Sequence, residues 1–212
     1  MQLHIHTNPL TLDRALRAEA REAGVVLRPP HYTLNQLIDQ LYRLDERPPG
    51  GKPTLLLIDH PFRDLIVRKA ICNAEGKPPS LGLVEVIAST LKELTEAGLE
   101  PGDLKWIASL DPTSVSLLPK EKLSRLYAIF KDYCHLLTRA RRVDRVGRDL
   151  EVLKSLIGHF QKGTRPSLME AVGNVVIHDV YYLSIVQYGI VSLLMRMAPQ
   201  GVRRFHLATL CQ

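Results

Sequence analysis

Asp179 closes a run of apolar β-formers in NVVIHDVYYLSIVQYGIVSLL (174–194) and stands just before an amphipathic helical stretch. A strand-end carboxylate is where a nucleotide-driven motor holds magnesium through water, and the residue after it is a glutamate that polarises the attacking water. Here that neighbour is Val180, which accepts no proton, and no further acid follows before the chain ends. A phosphate cradle is missing too. It needs glycine amides at a strand-to-helix turn followed by a lysine. The nearest approach, GGKPT at 50–54, places a proline between lysine and threonine and precedes its strand. Asp179 therefore reads as a helix cap or strand-end residue, and no catalytic residue is expected.

The second candidate chemistry is phosphate recognition. RARRVDRVGRD (139–149) interleaves Arg139, Arg141, Arg142, Arg145 and Arg148 with only two acids. Guanidinium groups pair with phosphates bidentately, and several together give salt-dependent affinity for DNA. Their spacings only partly meet those of a helical stripe, so on a helix they spread around the surface, and a solvated or partner-facing surface is the competing reading. Tyr32, Thr33 and Asn35 form a third group: a helix N-terminus with free amides and a hydroxyl holds a phosphate, and a tyrosine stacks on a base. Plain capping of the helix by Thr33 explains the same residues without a ligand.

His4 and His6 share one face of a predicted strand, as zinc ligands sometimes do, but no third ligand is placed by sequence, and the polar side of a half-exposed strand accounts for both. Cys72, Cys134 and Cys211 lie far apart without a CxxC pair, so neither zinc nor a four-thiolate iron-sulfur cluster is expected from cysteine alone. His135 adjoins Cys134, but neighbours on a helix point about 100° apart, so the two form no dyad by adjacency. No metal site is expected.

The elements that must position these residues are legible in the periodicity. LHIHTN (3–8) alternates like a strand, and Asn8-Pro9 starts a helix that Gly24 ends. Thr33 and Gln36 make a capping box ahead of Leu34, Leu37, Ile38, Leu41 and Leu44. TLLLID (54–59) reads as a buried strand or the entry to a helix capped by Asp59. Strand alternating with helix is the pattern of a parallel α/β sheet.

From Leu81 the pattern turns helical, with apolar stripes through Leu83, Ile87, Leu91 and Leu94, then Leu123, Leu126, Phe130, Tyr133 and Leu137, then Leu150, Leu153, Ile157 and Phe160. Three such helices bury their faces against one another as a small bundle. RRFHLATL (203–210) is a second candidate strand near the end. The expected organisation is an α/β domain over 1–80 and 171–212, carrying a mostly helical subdomain over 81–170.

Within 212 residues, 45% hydrophobic and 24% charged, there is room for one large domain or two small ones. A net charge of +6 favours polyanionic partners. No secretory leader and no apolar run near 18 residues is seen, which sets the expectation of a cytoplasmic chain with no membrane partner.

Specific stretches carry a resemblance. LHIHTNPLTLDRALRAEA is similar to the strand, Thr-Asn turn and helix that UvrD-type helicases place after their phosphate-binding helix, and PPHYTLNQLIDQL to their next motif, a Thr-led helix start that touches single-stranded DNA. VIASTLKELTEAGLEPGDL resembles the AddB-type passage at the head of a helical insertion, and VVIHDVYYLSIVQYGIVSLL its later strand and helix. Over nearly its whole length the chain thus resembles the N-terminal region of the AddB subunit of AddAB helicase-nucleases.

The resemblance implies a P-loop helicase-like α/β fold, here lacking the phosphate loop, with Asp179 at a degenerate Walker B position. It adds Thr7 and Asn8 to Tyr32, Thr33, Asn35 and the arginines as contacts for single-stranded DNA. It implies an inactivated motor in DNA repair and homologous recombination, paired with an AddA-like helicase-nuclease subunit. No cofactor is expected in this chain, because ATP with magnesium and an iron-sulfur cluster belong to other parts of that assembly. Two alternatives stand beside it: a fragment of an active UvrD-like ATP-dependent DNA helicase, and a scaffold whose helices bind another protein.

Overall fold

The structure, a computed structural model, describes residues 2–24, 31–44, 55–109, 119–178, 182–198 and 203–206. In chain order the elements are β1 (Gln2–His6), α1 (Pro9–Ala23), β2 (His31–Thr33), α2 (Leu34–Leu44), β3 (Leu56–Leu57), α3 (His60–Glu75), α4 (Leu81–Glu96) and α5 (Pro101–Ser109). They continue with α6 (Lys120–Arg139), β4 (Arg142–Val143), α7 (Arg145–Gln161), α8 (Ser167–Glu170), β5 (Asn174–His178), α9 (Ile185–Met197) and β6 (Arg203–His206). The chain divides into two compact units, unit 1 being Met1–Thr54 with Glu151–Gln212 and unit 2 being Leu55–Leu150. Among the described residues no helix is long and apolar enough to cross a membrane.

Unit 1 is α/β. Its sheet has the order β2-β1-β5-β6, with every pairing parallel. Alternation along the strands gives the sheet two unlike faces. Leu3 pairs with Val175 and Ile5 with Ile177, and all four side chains are buried. Each such burial contributes about 1.5–3 kcal/mol. The other face carries His4, His6, Val176 and His178, with His31 and Thr33 of β2 in register beside His4 and His6. The crossovers β1–α1–β2 and β5–α9–β6 run in opposite directions from the centre of the sheet, so the right-handed rule sets α1 and α9 on opposite faces. α9 buries Val186, Ile190, Val191, Leu194 and Met197, whereas none of the described side chains of α1 is fully buried.

Local chemistry fixes where these helices begin. Asn8 accepts a hydrogen bond from the Leu10 amide at 2.8 Å, and Pro9 follows at the first helical position. Thr33 and Gln36 form the predicted capping box: the Gln36 amide donates to Thr33 Oγ1 at 3.2 Å and the Thr33 amide donates to Gln36 Oε1 at 2.9 Å. Ser184 and Gln187 repeat the device at α9.

Unit 2 is mainly helical. Val67, Ile71, Leu91, Leu104, Phe130 and Leu137, drawn from α3, α4, α5 and α6, share one apolar cluster. The strand pair β3–β4 is parallel, with Leu56 opposite Arg142 and Leu57 opposite Val143.

Several sequence expectations are corrected. The units divide at 54/55 and 150/151 rather than at 80/81 and 170/171. The reason lies in α3, which follows a strand in sequence but packs on α4 and α6. TLLLID does not add a buried strand to the main sheet: Leu56 and Leu57 are exposed and, among the described residues, pair with β4, a short strand within the stretch read as mostly helical. On α7 the buried face is Val146, Arg148, Asp149, Val152 and Leu156, while Ile157 and Phe160 are exposed. An apolar pattern looks past an Arg-Asp pair, and here that pair occupies the buried face. On α4 the fully buried residues are Val84, Ala88 and Leu91, with Leu83, Ile87 and Leu94 packed against them. Leu44, expected in the α2 stripe, has a side chain outside the described residues.

Candidate functional site

Winding reverses between β1 and β5, because β1 leads to β2 on one flank and β5 leads to β6 on the other. Open α/β sheets bind ligands outside the carboxyl ends of the strands at such a point. The residues that reach it are His6 and His178, the last of β1 and β5, paired in register. Asn8, two residues beyond β1, is committed to starting α1, and its carbonyl also accepts from the Thr11 hydroxyl at 2.8 Å. Thr7 is half-buried between them. Asp179 and Val180 lie outside the described residues.

Tyr32, Thr33 and Asn35 do not form one surface. Register sets Tyr32 beside Ile5 and Thr33 beside His6, so the two lie on opposite faces of the sheet. Thr33 is buried with its hydroxyl engaged by Gln36, and Asn35 is exposed on the first turn of α2. The capping role predicted for Thr33 is what the structure shows.

Strand register instead assembles a group that sequence spacing did not reveal. His4, His6, His31 and His178 stack in two layers. His4 Nδ1 lies 3.0 Å from His178 Nε2 in one layer, and His6 Nε2 lies 3.0 Å from His31 Nδ1 in the other. The layers stack with His4 over His31 at 4.2 Å between ring centroids, 10° apart in plane, and His6 over His178 at 4.5 Å and 6°. A Glu19 carboxylate oxygen of α1 sits 3.4 Å from His31 Nε2. Burial, and then the neighbouring His31 and His178, lower the His4 pKa to about 4. Burial also lowers His31, against the opposing pull of Glu19. Nitrogens meeting in pairs within layers do not converge on a point, and among the described residues no group of three or more His, Cys, Asp or Glu is disposed to hold a metal ion.

The arginine run divides. Arg148 is 1% exposed and its Nε donates to Asp149 Oδ1 at 2.9 Å, so it is a core ion-pair residue and not a surface contact. Arg139 ends α6, Arg141 takes a left-handed φ of 54° in the turn, Arg142 opens β4 and Arg145 opens α7. Arg139, Arg141 and Arg145 are exposed and Arg142 is half-buried. None of these four forms an ion pair among the described residues. The nearest acid in sequence, Asp144, is occupied: it accepts from the Tyr133 hydroxyl at 2.6 Å and the Gly147 amide at 2.7 Å.

No family model and no curated protein matches the chain.

What remains chemically distinctive is therefore the molecule's own geometry. A corner of unit 2 gathers within seven residues four guanidinium groups that form no ion pair among the described residues, and one sheet face in unit 1 gathers four imidazoles. The first was legible as a composition run. The second needed the pairing of strands far apart in sequence, and its only advance signal was a histidine at or near the end of each apolar strand.

Proposed function

We propose that this chain is a non-catalytic, helicase-like domain of an AddB-type DNA repair and recombination subunit, which binds or guides single-stranded DNA beside an AddA-like motor. The observation that carries the reading is the set of four arginines at the junction of α6, β4 and α7 that form no ion pair among the described residues. Such a corner attracts backbone phosphates and releases their counterions. The parallel sheet wound around a central switch point, with a helical unit lying in sequence between β2 and β5, is compatible with a P-loop helicase-like domain carrying an inserted subdomain.

Fluorescence anisotropy of a labelled single strand, followed across salt, tests this. If all four arginines meet phosphates, the logarithm of affinity falls against the logarithm of salt with a slope of about −3, and each Arg→Gln change at Arg139, Arg141, Arg142 or Arg145 lowers that magnitude by about 0.7. Absence of binding at low salt sinks the proposal.

A protein-binding scaffold is the second reading, favoured by the exposed Leu65, Leu81, Val86 and Trp106 of unit 2. It takes over if DNA binding is absent while a partner protein is retained through these residues.

A further inference from the structure

Of eight histidines in the chain, four stand in one stack across the β2–β1–β5 seams, whereas His60 and His135 of unit 2 are exposed. The stack is built for neutral rings. A neutral imidazole has one donor and one acceptor, so each layer closes its 3.0 Å contact with a single N–H between two nitrogens. A single added proton leaves a layer its N–H and its acceptor, but two protonated rings in one layer set N–H against N–H, and positive rings in adjacent layers face each other at 4.2 and 4.5 Å. Among the described residues, the titratable groups facing the stack are His4 and His6 from β1, His31 from β2, His178 from β5 and Glu19 from α1, while β6 aligns His206 with His178.

We propose that the histidine stack is an acid-release device: with its rings neutral it staples β2, β1 and β5 together, and on protonation it parts those strands, opening unit 1 while unit 2 keeps its fold. The direction follows from linkage. Released imidazoles take up protons near the ordinary 6.5, but buried His4 and His31 resist, His4 down to about 4, so their stabilisation is full above 6.5 and is lost as pH falls from 6.5 toward 4. The covered sheet face adds a structural reason. α1 covers the histidine face without one fully buried described side chain, so the apolar packing that opposes parting of the strands lies on the other face, in Leu3, Ile5, Val175 and Ile177.

Hydrogen exchange on the full chain at pH 7.5 and 5.0, corrected for intrinsic rates, tests the device. Peptides of β1, β2 and β5 are expected to lose protection at least about tenfold at pH 5.0 while those of α3, α4 and α6 hold theirs. The double variant His4→Asn with His178→Gln, which keeps a hydrogen-bonding atom near each ring position, is expected to move the opening about one pH unit lower. Both units opening together, or the variant opening at the wild-type pH, overturns the proposal. Should the variant not fold, proton NMR titration of the wild-type imidazoles decides: midpoints below 6.5 for stacked rings support the device, and all midpoints at or above it overturn it.

Discussion

The Tyr133 hydroxyl donates to Asp144 Oδ2 at 2.6 Å, tying the buried face of α6 to the residue that begins the turn into α7. The other carboxylate oxygen accepts the Gly147 amide at 2.7 Å, so one side chain both caps a helix and anchors it to the core. The arginines flank this anchor, and their arrangement depends on it.

Tyr133→Phe is expected to destabilise unit 2 by about 1–3 kcal/mol, because a part-buried carboxylate loses its donor. A urea titration followed by the single tryptophan, Trp106, reads this, since α5 belongs to the same unit. Burial first, and then the Asp144 carboxylate, raise the Tyr133 pKa. A raised pKa contributes stability that is present below the ordinary 10.0 and is lost as pH climbs beyond it. In an ultraviolet alkaline titration one tyrosine of the chain should therefore ionise late, together with the unfolding of this unit.

Two glycines differ in whether the neighbour an added methyl would meet can move aside. A Cβ on Gly147 would meet Asp144 Oδ1 at 2.9 Å and Val143 Cγ2 at 3.0 Å, so Gly147→Ala is expected to cost about 1–3 kcal/mol despite the helix propensity gained. On Gly189 the added atom meets only the ends of the Leu153 side chain, at 3.0 and 3.3 Å. Leu153 is half-buried and free to shift by a few tenths of an ångström, so Gly189→Ala should lie within about 0.5 kcal/mol of wild type or gain slightly. Paired thermal melts compare the two.

Arg148 and its neighbours should respond oppositely to the same change. Arg148→Gln takes the guanidinium away from the buried Asp149 carboxylate and is expected to cost about 3–5 kcal/mol, while replacing both by apolar residues of similar volume should be far milder. Arg145→Gln should leave the melting temperature nearly unchanged and weaken only the salt-dependent affinity. Melting curves and anisotropy on the two variants separate a core arginine from a phosphate contact.

Asp179→Asn should leave affinity for a single strand within about twofold of wild type, because Val180 supplies no second acid and the reading gives Asp179 no part in holding DNA. A large loss in the same anisotropy assay would mean that a cation at this position shapes the DNA site.

Short-range chemistry was legible in the sequence, because its causes are local. The caps at Asn8, Thr33 and Asp59, and the stripes of α2 and α6, follow from neighbours within one or two turns. What escaped depends on partners distant in sequence. Leu56 and Leu57 look like core strand until pairing with Arg142 and Val143 draws them out of the main sheet. His4 and His6 look like surface until β2 and β5 bring His31 and His178 against them. Arg148 looks like its neighbours until the winding of α7 turns it inward onto Asp149.

The parallel pairing of β1 with β5 also sets a timetable. His4 and His178 are 174 residues apart, and at about 5–20 residues per second the ribosome needs roughly 9–35 s to deliver the second after the first. Unit 2 is continuous in sequence and is complete during that interval. Until β5 emerges, β1 has an unpaired edge and its Leu3 and Ile5 lack their partners Val175 and Ile177. The centre of the sheet thus closes only after unit 2 is complete, with β6 joining the edge later still, and the nascent strand β1 is where a chaperone would be needed longest.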